Sequence, residues 1–219
     1  MTTATYLSSC PMLPKSLLSQ SRPCTIDYIS ASPPGSLHTC TSNLSLRTTA
    51  SLADTAVAPG KLDLLLVPGP APGIVPGEEV LGFLRAHFEA GTHVLGICTG
   101  VFVCGYAGIL DGASVTGPRA LIPMLREMFP GAESWDESRR VVRDGRLWTC
   151  GGITNGLDLV AHYLRENYPP ALVNTILAMA DVPERSVKYD TGPTRDNMFF
   201  LWQVLRVLPS AAFRMIGFS

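Results

Sequence analysis

Thr92-His93-Val94-Leu95-Gly96-Ile97-Cys98-Thr99-Gly100-Val101-Phe102 is the stretch on which the fold turns. An apolar, strand-like run ends in Gly-x-Cys-x-Gly and passes directly into a helical pattern. This is the pattern of a strand–nucleophile–helix turn, with cysteine in the serine position. A tight turn of this kind forces the nucleophile into strained backbone angles. The residues two before and two after it must lack side chains so that strand and helix can approach. Cys98 then stands where a helix begins, and unpaired N–H groups there favour thiolate over thiol. The competing reading is a buried cysteine in a parallel-sheet core with incidental glycines.

Outward from this stretch, strands and helices alternate. Leu62-Asp63-Leu64-Leu65-Leu66-Val67 reads as a central parallel strand buried on both faces, ended by Pro68-Gly69-Pro70. Pro76-Gly77-Glu78-Glu79 opens a helix with carboxylates in its first turn. Leu81, Leu84 and Phe88 follow at helical spacing until Gly91. Beyond the elbow, Val101 to Leu110 is the nucleophile's helix and Ala113 to Thr116 a short strand. A helix through Leu121, Met124, Leu125 and Phe129 follows, with Pro123 tolerated only near its first turn. Val141-Val142, Asp144-Gly145 and Leu147-Trp148 form a hairpin. Gly151-Gly152-Ile153-Thr154-Asn155-Gly156 then opens a helix that Pro169-Pro170 breaks, and another spans about Ala171 to Ala180. This alternation predicts an α/β fold, a three-layer α/β/α sandwich with a mostly parallel, flavodoxin-like sheet. Sites in such sheets lie at the carboxyl ends of strands, where Pro68-Gly69, Cys98 and Gly151-Gly152 all fall.

The N-terminal part is less regular. Residues 1–23 show only weak periodicity around Leu13, Leu17 and Leu18, fitting a short helix or a loose tail. Thr25-Ile26-Asp27-Tyr28-Ile29 alternates as a strand, Pro33-Pro34-Gly35 turns the chain, and Asn43 to Thr49 returns as a second strand. The division expected is 1–23 as a poorly matched segment, 24–194 as the domain, and 195–219 as an apolar extension.

Length and composition set bounds. With 219 residues, 46% of them hydrophobic, the chain supports one sizeable core. Lys plus Arg (17) nearly balances Asp plus Glu (18), which argues against nucleic acid as a main partner. Cys10, Cys24, Cys40, Cys98, Cys104 and Cys150 form no Cys-x-x-Cys pair, and no histidine stands at zinc-ligand spacing, so no metal is expected. No basic region precedes an apolar run at the N-terminus, and no window reaches the roughly 18 apolar residues of a membrane span. A soluble, cytoplasmic protein is expected. In the extension, Met198, Phe199, Phe200, Leu201, Trp202, Val204, Leu205 and Val207 form a dense apolar run. It is read as core packing or a homodimer interface, ahead of a membrane surface.

Three motifs in order carry a family resemblance: Leu-Leu-Val-Pro-Gly, Gly-Ile-Cys-Thr-Gly, and Thr-Cys-Gly-Gly-Ile-Thr-Asn-Gly-Leu-Asp-Leu from Thr149 to Leu159. Together they resemble the PfpI/ThiJ superfamily, which has a class I glutamine-amidotransferase-like fold. Ala107-Gly108-Ile109-Leu110-Asp111-Gly112 and Val187-Lys188-Tyr189-Asp190 also match, so the likeness runs from about Cys24 to Pro193. Peptidase-like members place histidine after the cysteine, whereas this chain has Thr99. Cys-Thr-Gly with Gly-Gly-Ile-Thr is most similar to isonitrile hydratases and to the amidase-like sensor domains of AraC-type regulators. Too little chain follows for the regulators' helix-turn-helix region, so the enzyme branch is favoured.

That resemblance implies a lyase with no metal or organic cofactor, acting on a small isonitrile, in a setting of secondary metabolism. The Cys98 thiolate adds to the terminal isonitrile carbon, an acid protonates that carbon, and water cleaves the thioimidate to an N-substituted formamide. Thr99 contributes its backbone N–H and hydroxyl. Gly69, Gly152, Ile153 and Thr154 line the substrate pocket, and Arg119 contacts either substrate or solvent.

Departures from the pattern matter as much. Relatives carry a carboxylate near the nucleophile in an N-terminal loop, and Met1 to Ile26 contains no Asp or Glu. If Pro11-Met12-Leu13 matches the Gly-Pro-Leu after that loop, the family's first strand and acid are missing. Proton transfer then falls to another group or to water. Pro70 replaces the second glycine of Pro-Gly-Gly and has no N–H to offer an oxyanion. Thr116-Gly117-Pro118 stands where relatives often have Thr-His-Trp. His87 reads as a surface residue, His93 as lying at the far end of its strand, and His162 as a structural pair with Asp158. Cys104 reads as packing. Two rival functions stay open: a glyoxalase- or deglycase-like activity on α-oxoaldehydes, and a non-catalytic binding or protective role.

Overall fold

The computed structural model describes residues 16, 19–20, 23–40, 42–71 and 73–215. The expected helix or tail around Leu13, Leu17 and Leu18 lies outside the described residues, as does Pro11-Met12-Leu13.

Short strands come first: β1 (Ile29–Ser30), β2 (Leu37–Thr39), β3 (Ser45–Arg47) and β4 (Ala50–Ser51). The strand expected over Thr25 to Ile29 shrinks to β1, which pairs in parallel with β4. The returning strand, β3, pairs instead with β2 in a small antiparallel hairpin. The turn at Gly35, with φ +92°, redirects the chain before β2.

The central sheet follows: β5 (Leu64–Val67), helix α1 (Glu78–Glu89), β6 (His93–Gly96) and helix α2 (Gly100–Tyr106). Next come β7 (Ser114–Val115), helix α3 (Ile122–Met128), β8 (Ser134–Trp135), β9 (Val141–Asp144) and β10 (Leu147–Cys150). Helices α4 (Asn155–Asn167), α5 (Pro170–Met179) and α6 (Pro193–Met215) complete the chain. The sheet order is β5-β6-β10-β9, with β5, β6 and β10 parallel and β9 antiparallel to β10 across the expected hairpin. Gly145, at φ +56°, makes that turn.

Side-chain alternation along paired strands builds the layers. Val94 and Leu147 lie opposite each other and enter one core with Leu81, Leu84, Val101, Ile122 and Leu125 from α1, α2 and α3. Leu95 and Trp148, the next pair, enter a second core on the other face with Leu159 and Tyr163 of α4. A sheet buried on both faces between helical layers is the α/β sandwich.

Three expectations change. Among the described residues β5 pairs only with β6, and Leu66 is 51% exposed, although an unbroken apolar run carries no polar alternation to mark an open side. His87 is fully buried, not at the surface. Its Nε2–H donates to the Val57 carbonyl at 3.0 Å, and Nδ1 lies 3.2 Å from Thr92 Oγ1. The apolar run in α6 is not core packing: Met198, Phe199, Phe200, Leu201, Trp202, Val204 and Leu205 are all exposed. Five of them are consecutive, so around a helix they point in every direction and a single contact face cannot hide them. Among the described residues, no helix is long and apolar enough to cross a membrane.

Candidate active site

Cys98 adopts φ +57°, a left-handed conformation that a non-glycine residue rarely takes without compensation. The compensation is close packing of the turn on β5. Ile97 N–H donates to the Val67 carbonyl at 3.0 Å. A Cβ on Gly100 would lie 2.1 Å from that same carbonyl oxygen, so only glycine lets α2 approach the end of β5. A Cβ on Gly69 would lie 1.9 Å from Thr99 Oγ1, so the Pro68-Gly69 loop is pressed against the residue after the thiol. The Thr99 hydroxyl donates to the Pro70 carbonyl at 3.5 Å.

The next strand ends in the same way. Ile153, at φ +49°, turns β10 into α4 as Cys98 turns β6 into α2. Gly156 brings α4 against Ile97, its Cβ position 3.0 Å from Ile97 Cγ2. Ile153 is 90% exposed, Thr154 is exposed, and a Cβ on Gly152 would meet nothing within 4 Å. The sequence-derived set of Cys98, Thr99, Gly69, Gly152, Ile153 and Thr154 is thus gathered at neighbouring carboxyl ends of β5, β6 and β10.

Arg119 has a different position. Its Nε donates to the Glu137 carbonyl at 3.0 Å, Nη2 to the Thr191 carbonyl at 2.7 Å, and Nη1 pairs with Asp196. The guanidinium also stacks 3.7 Å from the centre of the Tyr189 ring. With each nitrogen engaged, it acts as a clamp on the 189–196 segment and offers no free fork to a ligand. Asp158 likewise pairs with Arg185 at 2.9 Å rather than with His162, and Arg185 reaches Thr154 Oγ1 at 3.3 Å.

Tyr189 and Asn155 are the site residues that motif reading passed over, although both stood in quoted motifs. The Tyr189 hydroxyl accepts from Asn155 Nδ2 at 2.8 Å and lies 2.3 Å from the Cβ position of Gly151. The buried Arg140 holds this strap in place through the carbonyls of Ser186 and Lys188, its guanidinium 4.6 Å from the tyrosine ring. Burial pushes the phenol above its usual range, outweighing Arg119, the Asn155 hydrogen bond and Arg140, which pull it down. Tyr189 therefore keeps its proton at neutral pH. Burial pushes the Cys150 thiol up to about 12, so this sulfur also stays protonated. Two surface cavities, of about 300 and 310 Å³, are lined by other residues. Among the described residues, no three His, Cys, Asp or Glu side chains converge as metal ligands.

The chain is 35% identical over 131 residues to the isonitrile hydratase of Pseudomonas putida, covering 58% of this chain and 54% of that protein. It is 35% identical over 83 residues to the HTH-type transcriptional regulator GlxA of Rhizobium meliloti, covering 38% of this chain and 25% of that one. The chain thus spans about half the length of the first relative and a quarter of the second. A THiJ/PfpI family protein from Pseudomonas syringae superposes with a TM-score of 0.63 at 22% identity, over 83% of this chain and 74% of that one. Residues 12–166 match the DJ-1/PfpI family model, most of the chain, and the protein belongs to the DJ-1/PfpI family.

Proposed function

We propose that this protein is an isonitrile hydratase-like enzyme, with Cys98 as covalent nucleophile. The observation that carries the reading is the left-handed Cys98 elbow braced by Gly69 and Thr99. The likeness to the Pseudomonas putida enzyme supplies the reaction. In this reading, the thiolate attacks the terminal carbon of R–N≡C and that carbon takes a proton. Water then adds to the thioimidate and expels the thiol, releasing R–NH–CHO.

Tyr189 is our proposed proton source. Its oxygen already accepts from Asn155, which leaves its O–H to donate. It stands over Gly151, at the strand end beside the elbow. Thr99 and Gly69 would steady the polar intermediates. Pro70 offers no N–H, and losing one oxyanion donor costs roughly 10²–10³ in acyl transfer. Isonitrile addition builds no acyl oxyanion in its first step, so amide hydrolysis is the reaction expected to suffer. Robust amidase activity of the pure protein would contradict this.

The test is direct. Incubation with a small alkyl isonitrile is expected to yield the N-substituted formamide by NMR, with none from Cys98→Ala. Methylglyoxal consumption without formamide would move the assignment to α-oxoaldehyde chemistry. Neither activity would leave a binding role.

A further inference from the structure

Two thiols meet at the elbow, and only one is needed as a nucleophile. Cys98 is partly exposed, Cys150 is fully buried, and both are free. The parallel register runs Leu147↔Val94, Trp148↔Leu95 and Thr149↔Gly96. One further step sets Cys150 beside Ile97, a single residue from Cys98. Strand spacing of ~4.8 Å and a rise of ~3.3 Å per residue, continued one residue beyond the paired positions, would put the two cysteine Cα atoms about 6 Å apart. Disulfides bridge Cα separations of roughly 4.4–6.8 Å. The two cysteines are close enough to act on each other, because the Cys98 backbone N–H and the Cys98 thiol both shift the Cys150 thiol, in opposite directions. Cys104 packs in the opposite core, against Gly96.

We propose that Cys150 is the resolving partner of Cys98, so that oxidation by a hydroperoxide converts the elbow thiol into a reversible Cys98–Cys150 disulfide. The Cys98 thiolate attacks the distal peroxide oxygen and the O–O bond breaks. The leaving alkoxide takes a proton, so the peroxide is reduced to an alcohol and Cys98 is oxidised by two electrons to a sulfenic acid. Cys150 then attacks the Cys98 sulfur and the S–O bond breaks. The departing hydroxide leaves as water with the proton from Cys150. The sum is two thiols and ROOH giving a disulfide, ROH and water.

Magnitudes allow the second step. A thiol at about 12 is ionised in roughly one molecule in 10⁴–10⁵ near neutral pH, whereas well-oriented neighbours react at effective molarities of about 10⁵ M or more. The same burial shields Cys150 from direct oxidation. Trapping Cys98 as a disulfide keeps it off the irreversible route to sulfinic acid. The inference does not depend on which electrophile Cys98 takes in turnover.

The experiment treats reduced, full-length protein with a few equivalents of hydrogen peroxide, blocks residual thiols and maps tryptic peptides by mass spectrometry without reduction. Ala86–Arg119, which carries Cys98 and Cys104, is expected to be joined to Leu147–Arg165, which carries Cys150. Fragmentation should place the link on Cys98, and dithiothreitol should open it. Cys150→Ala, or Cys150→Ser should the first fold poorly, is expected to raise Cys98 sulfinic acid about tenfold at equal peroxide. Sulfinic acid in the parent protein with no linked peptide would overturn the proposal. So would a link through any other cysteine, or a Cys98 that peroxide leaves unchanged. Isonitrile turnover is not read, so the outcome is independent of the proposed activity.

Discussion

At Gly100 a single methyl group decides whether the elbow closes. Gly100→Ala forces the Val67 carbonyl or α2 to move, and should cost about 2 kcal/mol or more in urea unfolding. Gly152→Ala, whose added Cβ meets open space, should stay within about 1 kcal/mol of the parent. A second prediction concerns Tyr189. Tyr189→Phe removes the O–H but leaves the ring between Arg119 and Arg140. Formamide formation should fall roughly 10²–10⁴-fold in kcat with KM little changed, while iodoacetamide alkylates Cys98 at the parent rate. An equal fall in alkylation would make the tyrosine merely structural. The contrast explains what could be read in advance at this scale. Cys98 declares itself through two glycines within five residues, a local demand of the turn. Tyr189 reaches the site because the distant Arg119 and Arg140 grip its strap, and no local spacing encodes that.

Among the elements, α1 shows how helical period reveals a buried face without revealing what is on it. His87 lies three residues after Leu84, on the inward face, yet its polarity suggested solvent. The Val57 carbonyl and Thr92, elsewhere in the chain, are what let it be buried. Burial lowers its affinity for a proton below the ordinary 6.5, the Val57 hydrogen bond opposing only in part. As pH falls through about 6.5, the unfolded chain therefore takes up this proton first and stability declines. The decline ends once folded His87 is protonated too. Its slope is at most about 1.4 kcal/mol per pH unit, and His87→Gln should flatten that part of the urea-midpoint profile between pH 7 and 5. Expected strand ends and helices matched well where punctuation was strong, as at Gly91, Asp144-Gly145 and Pro169-Pro170. They failed at β5, where an apolar run suggested burial on both faces and Leu66 is exposed, and in the α6 run.

For the molecule as a whole, the sandwich was legible because paired positions on β6 and β10 feed opposite cores. Two buried thiols, Cys104 and Cys150, lie one in each, both pushed up to about 12 from 9.0 by burial. A group whose folded value is raised holds its proton longer when folded. The stability they contribute is thus complete below about pH 9 and is lost as pH rises toward 12. Urea midpoints should fall across that window by up to about 1.4 kcal/mol per unit for each thiol, and less steeply in Cys150→Ala. Beyond the reach of sequence reading was the link between the segment leading into β9 and the strap, made by Arg140 N–H to the Val187 carbonyl and Tyr189 N–H to the Ser138 carbonyl. Those two rungs belong to one bridge, Arg139 opposite Lys188. In deuterium oxide, therefore, the amides of Arg140 and Tyr189 should exchange in step, so that the rhythm of the strap's opening can be timed from two isotope-labelled positions.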